Sequence, residues 1–185
     1  MKYLLITALF VFPVNPVFSV NLLSDQTESV GVASLDDFKD YCTLAVGKWT
    51  GQVSSVASSG SVGSGNGEPQ TYNFEARMAP GGYAMIREVV GPDSMSTALI
   101  FYDHSAKKIR TVYTSSTGAI SVHTIHRTDT HWVRHTSLTA PNGSKSEFNA
   151  TISFSEDGKT ETIEMRGLGL DGSPWIQKNI WHRVD

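Results

Sequence analysis

Hydrophobic and polar residues alternate along this chain with two periods, a helical one near the start and a strand-like one through the rest. Across "SLDDFKDYCTLAV" the apolar positions Leu35, Phe38, Tyr41 or Cys42, and Ala45 recur at helical spacing, with Asp36, Asp37, Lys39 and Asp40 turned to water. Ser34 precedes the run and Asp37 follows three residues later, close to a capping box. One short amphipathic helix is therefore predicted, packing its apolar stripe on the body of the protein. Downstream the period shortens to two. Segments 48–56, 70–78, 83–90, 97–103, 108–114, 119–126, 130–139, 146–154, 160–166 and 175–184 are rich in β-branched and aromatic residues and bounded by Gly, Pro, Asp, Asn or Ser. About ten short strands with no helix between them predict an antiparallel sandwich or a closed up-and-down barrel.

Two hairpins can be drawn from this pattern. In "FNATISFSEDGKTETIEM" a two-residue Asp157-Gly158 turn of type I′ sets Ile152 opposite Ile163 and Ala150 opposite Met165, so apolar partners share a face. In "SVHTIHRTDTHWVRH" a turn at Thr128-Asp129 sets His126 against His131, with His135 further along that face, opposite Val122. The other face of the same hairpin carries Ile125 with Trp132 and His123 with Arg134. Both faces mix apolar and polar residues, so periodicity leaves open which one points inward. The low-complexity stretch 54–69, "SSVASSGSVGSGNGEP", reads as a loop between the first two strands. Its Gly63-x-Gly65-x-Gly67 is not followed by a helix, which a phosphate loop requires.

The N-terminus changes the expected compartment. Residues 1–19, "MKYLLITALFVFPVNPVFS", place Lys2 before an apolar run, with Val17 and Ser19 at the −3 and −1 positions of a cleavage site. The run is broken by Pro13 and Pro16 and is shorter than the roughly 20 residues that span a bilayer, so it reads as a secretory signal. Residues 20–33 read as a linker and 34–185 as a single domain. A secreted or periplasmic location follows, with no membrane span after cleavage. The one cysteine, Cys42, has no partner for an intramolecular disulfide and is expected to be a small buried hydrophobe. The net charge of −3 at pH 7, without a basic run or aromatic-interleaved basic patch, argues against nucleic acid as partner.

The pieces "GKWTG", "FYDHSAKKIRTVY", "FSEDGKTETIEMRG" and "NIWHRV", spread over residues 47–184, resemble the calycin superfamily, which comprises the lipocalins, fatty-acid-binding proteins, avidins and their bacterial relatives. The resemblance is nearest to bacterial lipocalin-like secreted proteins. It implies an all-β, antiparallel up-and-down calycin or lipocalin-like barrel of eight to ten strands with one short N-terminal helix. It also implies that Gly47 and Trp49 close one end of the barrel and that Arg183 packs across the indole. Avidins share the "GKWT", but Gly51 and Gln52 stand here where polar contacts to biotin would follow.

Candidate chemistry is sparse. Six histidines include four in the 123–135 hairpin, but His131 and His135 lie about 13 Å apart along a strand. No nearby Asp, Glu or Cys completes a zinc site, so no metal and no cofactor is expected. No Gly-x-Ser-x-Gly elbow or Cys/His arrangement marks a nucleophile. The aromatic stripes through Tyr72 and Phe74, Phe148, and Trp175 are core or cavity lining, because the inward positions of a barrel serve as both. With Trp132, and with His123 and Arg134 as polar anchors for a carboxylate or carbonyl, they form the candidate ligand site. The expectation is a barrel that holds a small apolar or amphipathic molecule. Two alternatives remain: an isomerase, cyclase or lyase using the barrel as a chamber with His123, Arg134 or Glu164 taking part, and a filled barrel acting through its surface as an envelope or assembly factor.

Overall fold

The computed structural model describes residues 31–57, 69–168 and 174–184. The predicted leader, residues 20–30 of the predicted linker and residues 58–68 of the 54–69 stretch lie outside the described residues, while residues 54–57, expected in that loop, continue the first strand. One helix, α1 (Leu35–Ala45), is followed by ten strands: β1 (Gly47–Ala57), β2 (Gln70–Met78), β3 (Ala84–Val90), β4 (Met95–Asp103), β5 (Lys108–Ser115), β6 (Ile120–Arg127), β7 (Trp132–Thr139), β8 (Lys145–Phe154), β9 (Thr160–Leu168) and β10 (Pro174–Arg183). Each strand pairs antiparallel with its neighbours in sequence, and β10 pairs with β1, so the sheet closes into an up-and-down barrel with no free edge. Eight strands leave an interior that side chains alone can fill; ten leave more room.

Helix α1 begins at a capping box: the Asp37 N–H donates to Ser34 Oγ at 3.0 Å, and the Ser34 N–H donates to the Asp37 carboxylate at 2.7 Å. Phe38, Tyr41, Cys42 and Ala45 are buried and plug one end of the barrel. The Tyr41 ring meets Trp132 edge-on at 5.2 Å and Phe154 at 6.3 Å. Burial pushes the Cys42 thiol up to about 12, which leaves it a neutral packing group. Leu35 departs from the expected stripe: in the first turn it sits off the barrel end and remains 40% exposed.

The chain leaves the helix through Gly47, whose φ of 135° is in the region open to glycine. Trp49 is 1% exposed, stacks on Phe74 at 5.5 Å and donates its indole N–H to the Ala45 carbonyl at 3.1 Å. The Arg183 guanidinium lies 4.4 Å over the indole and donates to the carbonyls of Val46, Leu44 and Gly158. One side chain thus ties the end of the helix, the last strand and the β8–β9 turn together. At Gly51 an added Cβ would overlap the Ile180 carbonyl oxygen and fall 2.8 Å from Cε3 of Trp181, so only glycine lets the β10 backbone and that indole approach β1 so closely.

Both drawn hairpins keep their faces, but their turns differ. Ile152 pairs with Ile163 and Ala150 with Met165, as the apolar pattern requires. The turn is not type I′, because among the described residues the only positive φ outside glycine is at Lys107, so Asp157 does not adopt one. Instead the Gly158 N–H closes on the Ser155 carbonyl at 2.9 Å with Gly158 at φ 67°, while the Asp157 carboxylate accepts the Ser155 hydroxyl at 2.6 Å. In the histidine hairpin the turn is two residues longer than drawn. The Thr128 N–H and hydroxyl both donate to the His131 carbonyl at 2.8 Å, so pairing starts at Arg127 with Trp132. His126 therefore faces Val133 rather than His131, and His135 faces Thr124 rather than Val122. A slip of two preserves every side chain's face.

Candidate functional site

Inside the barrel lies a cavity of about 500 Å³. Trp49, Phe74 and Trp181 close its floor: Phe74 meets Trp181 edge-on at 4.8 Å on one side and stacks on Trp49 on the other. The opposite end, where β3 hands over to β4, β5 to β6 and β7 to β8, is lined by Asp93, Ser94, Thr117 and Pro141. Ala57 and Gln70, which flank the glycine-rich stretch, end and begin their strands on that same side. A separate groove of about 460 Å³ runs outside the barrel beside α1, between Leu35, Phe38, Tyr83, Leu99 and Tyr102.

The face left open by periodicity is settled by closure of the sheet. His123, Ile125, Trp132 and Arg134 point inward, while His126, His131 and His135 lie on the outside or in the turn. His135 Nδ1 contacts Asn149 Oδ1 at 2.9 Å and His131 Nδ1 contacts Thr130 Oγ1 at 2.9 Å. Among the described residues no three His, Cys, Asp or Glu side chains gather as a metal site would need. Glu164 is also on the outer surface, bound to Lys178 Nζ at 2.8 Å, so it takes no part in interior chemistry. That bond holds its carboxyl below the usual range.

The walls are mainly apolar, formed by Val53, Val89, Ile100, Leu138, Phe148 and Ile163 among others. Tyr72 joins them as a half-buried ring. Phe74 and Trp132 sit one layer below, in the packed end. Trp175 lies in β10 opposite Gly167, and its side chain is outside the described residues.

Four polar side chains stand out within this apolar space. Arg87 and Glu161 form a two-pronged ion pair, with Nη1 to Oε1 at 3.2 Å and Nη2 to Oε2 at 2.9 Å. Glu161 is 0% exposed, and the Arg87 guanidinium also lies 3.6 Å over Phe74. Burial alone would lower the Arg87 pKa, but the Glu161 carboxylate raises it on balance. The pair is therefore a closed, neutral unit. Arg134 differs: among the described residues its only hydrogen-bond partner is the Met165 sulfur, at 3.1 Å from Nη2, and its buried Nε has none there. Burial pushes its pKa down, with the like charge of Arg87 acting in the same direction. A guanidinium nevertheless stays charged in proteins. The fourth is His123, 8% exposed, whose Nε2 lies 2.7 Å from Ser121 Oγ and whose Nδ1 has no partner among the described residues. Burial, then the positive charges of Arg134 and Arg87, hold its pKa well below the usual value, so the ring is neutral at pH 7.

Arg87, Glu161 and Ser121 were absent from the set expected from sequence. The signal for two of them was available: Arg87 alternates with Met85 and Val89, and Glu161 with Ile163 and Met165, which places a charge at an apolar-face position in each strand. A charge at such a position has to find a partner, and here each is the other's. Compared with known protein families and with curated proteins, the chain matches none.

Proposed function

We propose that this chain is an exported, calycin-like barrel protein whose activity is to hold a small, largely apolar ligand in its interior. The observation that carries this reading is the cavity of about 500 Å³, apolar on its walls and provided with a few buried polar groups, which is the form of a small-molecule site. Export rests on the leader-like residues 1–19. The closure at Trp49 and Arg183 supports the calycin comparison, since it sits where that resemblance expects it.

One observation favours a second reading, in which the barrel is the chamber of an isomerase, cyclase or lyase. His123 is a buried neutral imidazole on the cavity wall, the state a general base requires. Native mass spectrometry of the protein purified from its own source tests both. A co-purifying molecule that stays chemically unchanged during incubation supports the carrier, and its conversion supports the enzyme. An empty protein under every mild condition would count against both.

A further inference from the structure

We propose that the outer face of β3–β6 is a docking surface for a second copy of this chain, which seats on it about a twofold axis running along the Ile86–Leu99 pair. The surface lies outside the barrel and does not depend on what the interior holds. Charge is spread unevenly around that outside. The outward positions of β8, β9, β10, β1 and β2 include Glu147, Arg166, Glu164 with Lys178, Lys48 and Glu75. On the other side the paired row Ile86, Leu99, Val112 and Val122 crosses four strands without a charge. Ile86 is half-buried, and the other three are each at least 40% exposed. The solvent face of an antiparallel sheet is ordinarily polar, and a contiguous apolar patch on it marks a place where something binds.

The two ends of the β3–β4 hairpin say what that is. At the open end Val90 pairs with Met95, and both stand out into water, Met95 at 59% exposed. At the other end lies the groove of about 460 Å³, bounded by Gly82, Tyr83, Leu99 and His104. Val90 and Gly82 are each four residues from Ile86, and Met95 and Asp103 each four from Leu99, so knob and groove lie about 13 Å to either side of the row. A twofold axis along the Ile86–Leu99 pair therefore sets the Val90–Met95 knob of each copy at the groove of the other, while Leu99 meets its own counterpart. The same rotation places Glu88 against Ala84 and Arg110 against Thr114, so no charge on β3–β5 faces its like. Arg77, at the β2 edge of the row, is turned to Glu88 at 3.8 Å, and Asp103 is already held by Arg110 at 2.7 Å. A lipid surface fits less well, because from the row to the open end the outward positions of β3–β6 hold no Lys, Arg or Trp to seat among head groups. Four strands and nine residues of strand length give a face of roughly 19 by 30 Å. That is near 600 Å² in plan, below the roughly 800 Å² per partner of a standard stable interface, so the dimer is a reversible one of micromolar affinity.

The test is sedimentation velocity of the protein purified from its own source and of its variants, from about 1 to about 200 μM, where a weak dimer forms by mass action. The unsubstituted protein should pass from monomer to dimer across that range and go no further. Leu99→Asp brings two carboxylates together on the axis and should weaken association at least about tenfold. Ile176→Asp, at an equally exposed aliphatic position on β10, should leave association unchanged. Leu99→Cys should form a covalent dimer on mild oxidation, since each new thiol faces its own counterpart and the native Cys42 is buried. A monomer at every concentration would overturn the proposal, as would a dimer that survives Leu99→Asp or is lost in Ile176→Asp. A Leu99→Cys protein that dimerises without cross-linking would overturn the axis. A protein that stays monomeric but floats with phosphatidylcholine vesicles would overturn the second copy in favour of a lipid surface. The monomer–dimer transition and the Leu99→Cys cross-link are both read without the aspartate variant, so the outcome does not depend on its folding.

Discussion

Replacing Trp49 by alanine should remove most of what seals the lower end of the barrel. The indole is 1% exposed, stacks on Phe74 at 5.5 Å, carries Arg183 at 4.4 Å and donates to the Ala45 carbonyl at 3.1 Å. Truncating a buried tryptophan costs about 3–5 kcal/mol through lost transfer energy and the cavity left behind. Loss of the cation over the ring adds about 0.5–2 kcal/mol, depending on how dry the site is. A total near 5 kcal/mol is a large share of the roughly 5–15 kcal/mol that keeps an ordinary domain folded. Urea unfolding followed by far-ultraviolet circular dichroism, extrapolated to water at unchanged slope, measures it. Trp49→Phe is the control: it keeps the stacked ring but not the hydrogen bond to Ala45, and should cost only about 1–2 kcal/mol. A loss under about 1.5 kcal/mol for Trp49→Ala would refute the idea that this ring closes the barrel, since a site that relaxes so readily was not supporting its neighbours.

Glu161→Gln should destabilise the fold by about 3–5 kcal/mol in thermal unfolding, because it leaves the Arg87 charge buried without its carboxylate. The double change Arg87→Met with Glu161→Leu should recover most of that loss; a double variant as unstable as the single would show that the pair's shape, not its charge, is what matters. His123 makes stability pH-dependent with a definite sign. Its folded pKa lies well below the unfolded value of about 6.5, so below that pH the unfolded chain binds a proton that the folded chain refuses. Stability is complete above about pH 6.5 and falls by up to about 1.4 kcal/mol per unit below it, until the folded pKa is reached. Denaturation midpoints between pH 7 and pH 5 should therefore drop less steeply in His123→Gln, and parallel curves would remove His123 as the source.

Much of the architecture is legible in strand parity. Apolar alternation located the strands and the face of the Ile152–Ile163 pair, and the Ser34–Asp37 spacing located the helix start. What parity does not carry is turn length. The Thr128 side chain closes its turn onto His131, a local hydrogen bond that lengthened the hairpin by two residues without altering the hydrophobic pattern. The inward face of that hairpin was equally hidden, because Trp132 on one side and Val133 on the other are both buried. The inner face is determined by a sheet that closes only through β1 and β10. The Arg87–Glu161 pair bridges strands 74 residues apart, so neither strand alone reveals that its charge is satisfied. Arg134 was expected from its neighbours to be a polar anchor; that it forms no ion pair among the described residues depends on where every other charge lies.

The seam between β1 and β10 has a kinetic consequence. Arg183 bonds to the carbonyl of Leu44, 139 residues away in the chain, and the whole β1–β10 ladder is comparably distant. Contacts so far apart form late, because the entropy of closing the intervening chain is spent before they reward it. Until β10 arrives, the growing sheet exposes two raw edges and an unsealed apolar interior, a species prone to pairing with other copies. Refolding should thus be slow and sensitive to protein concentration, with the last step being the zipping of the final strand against the first.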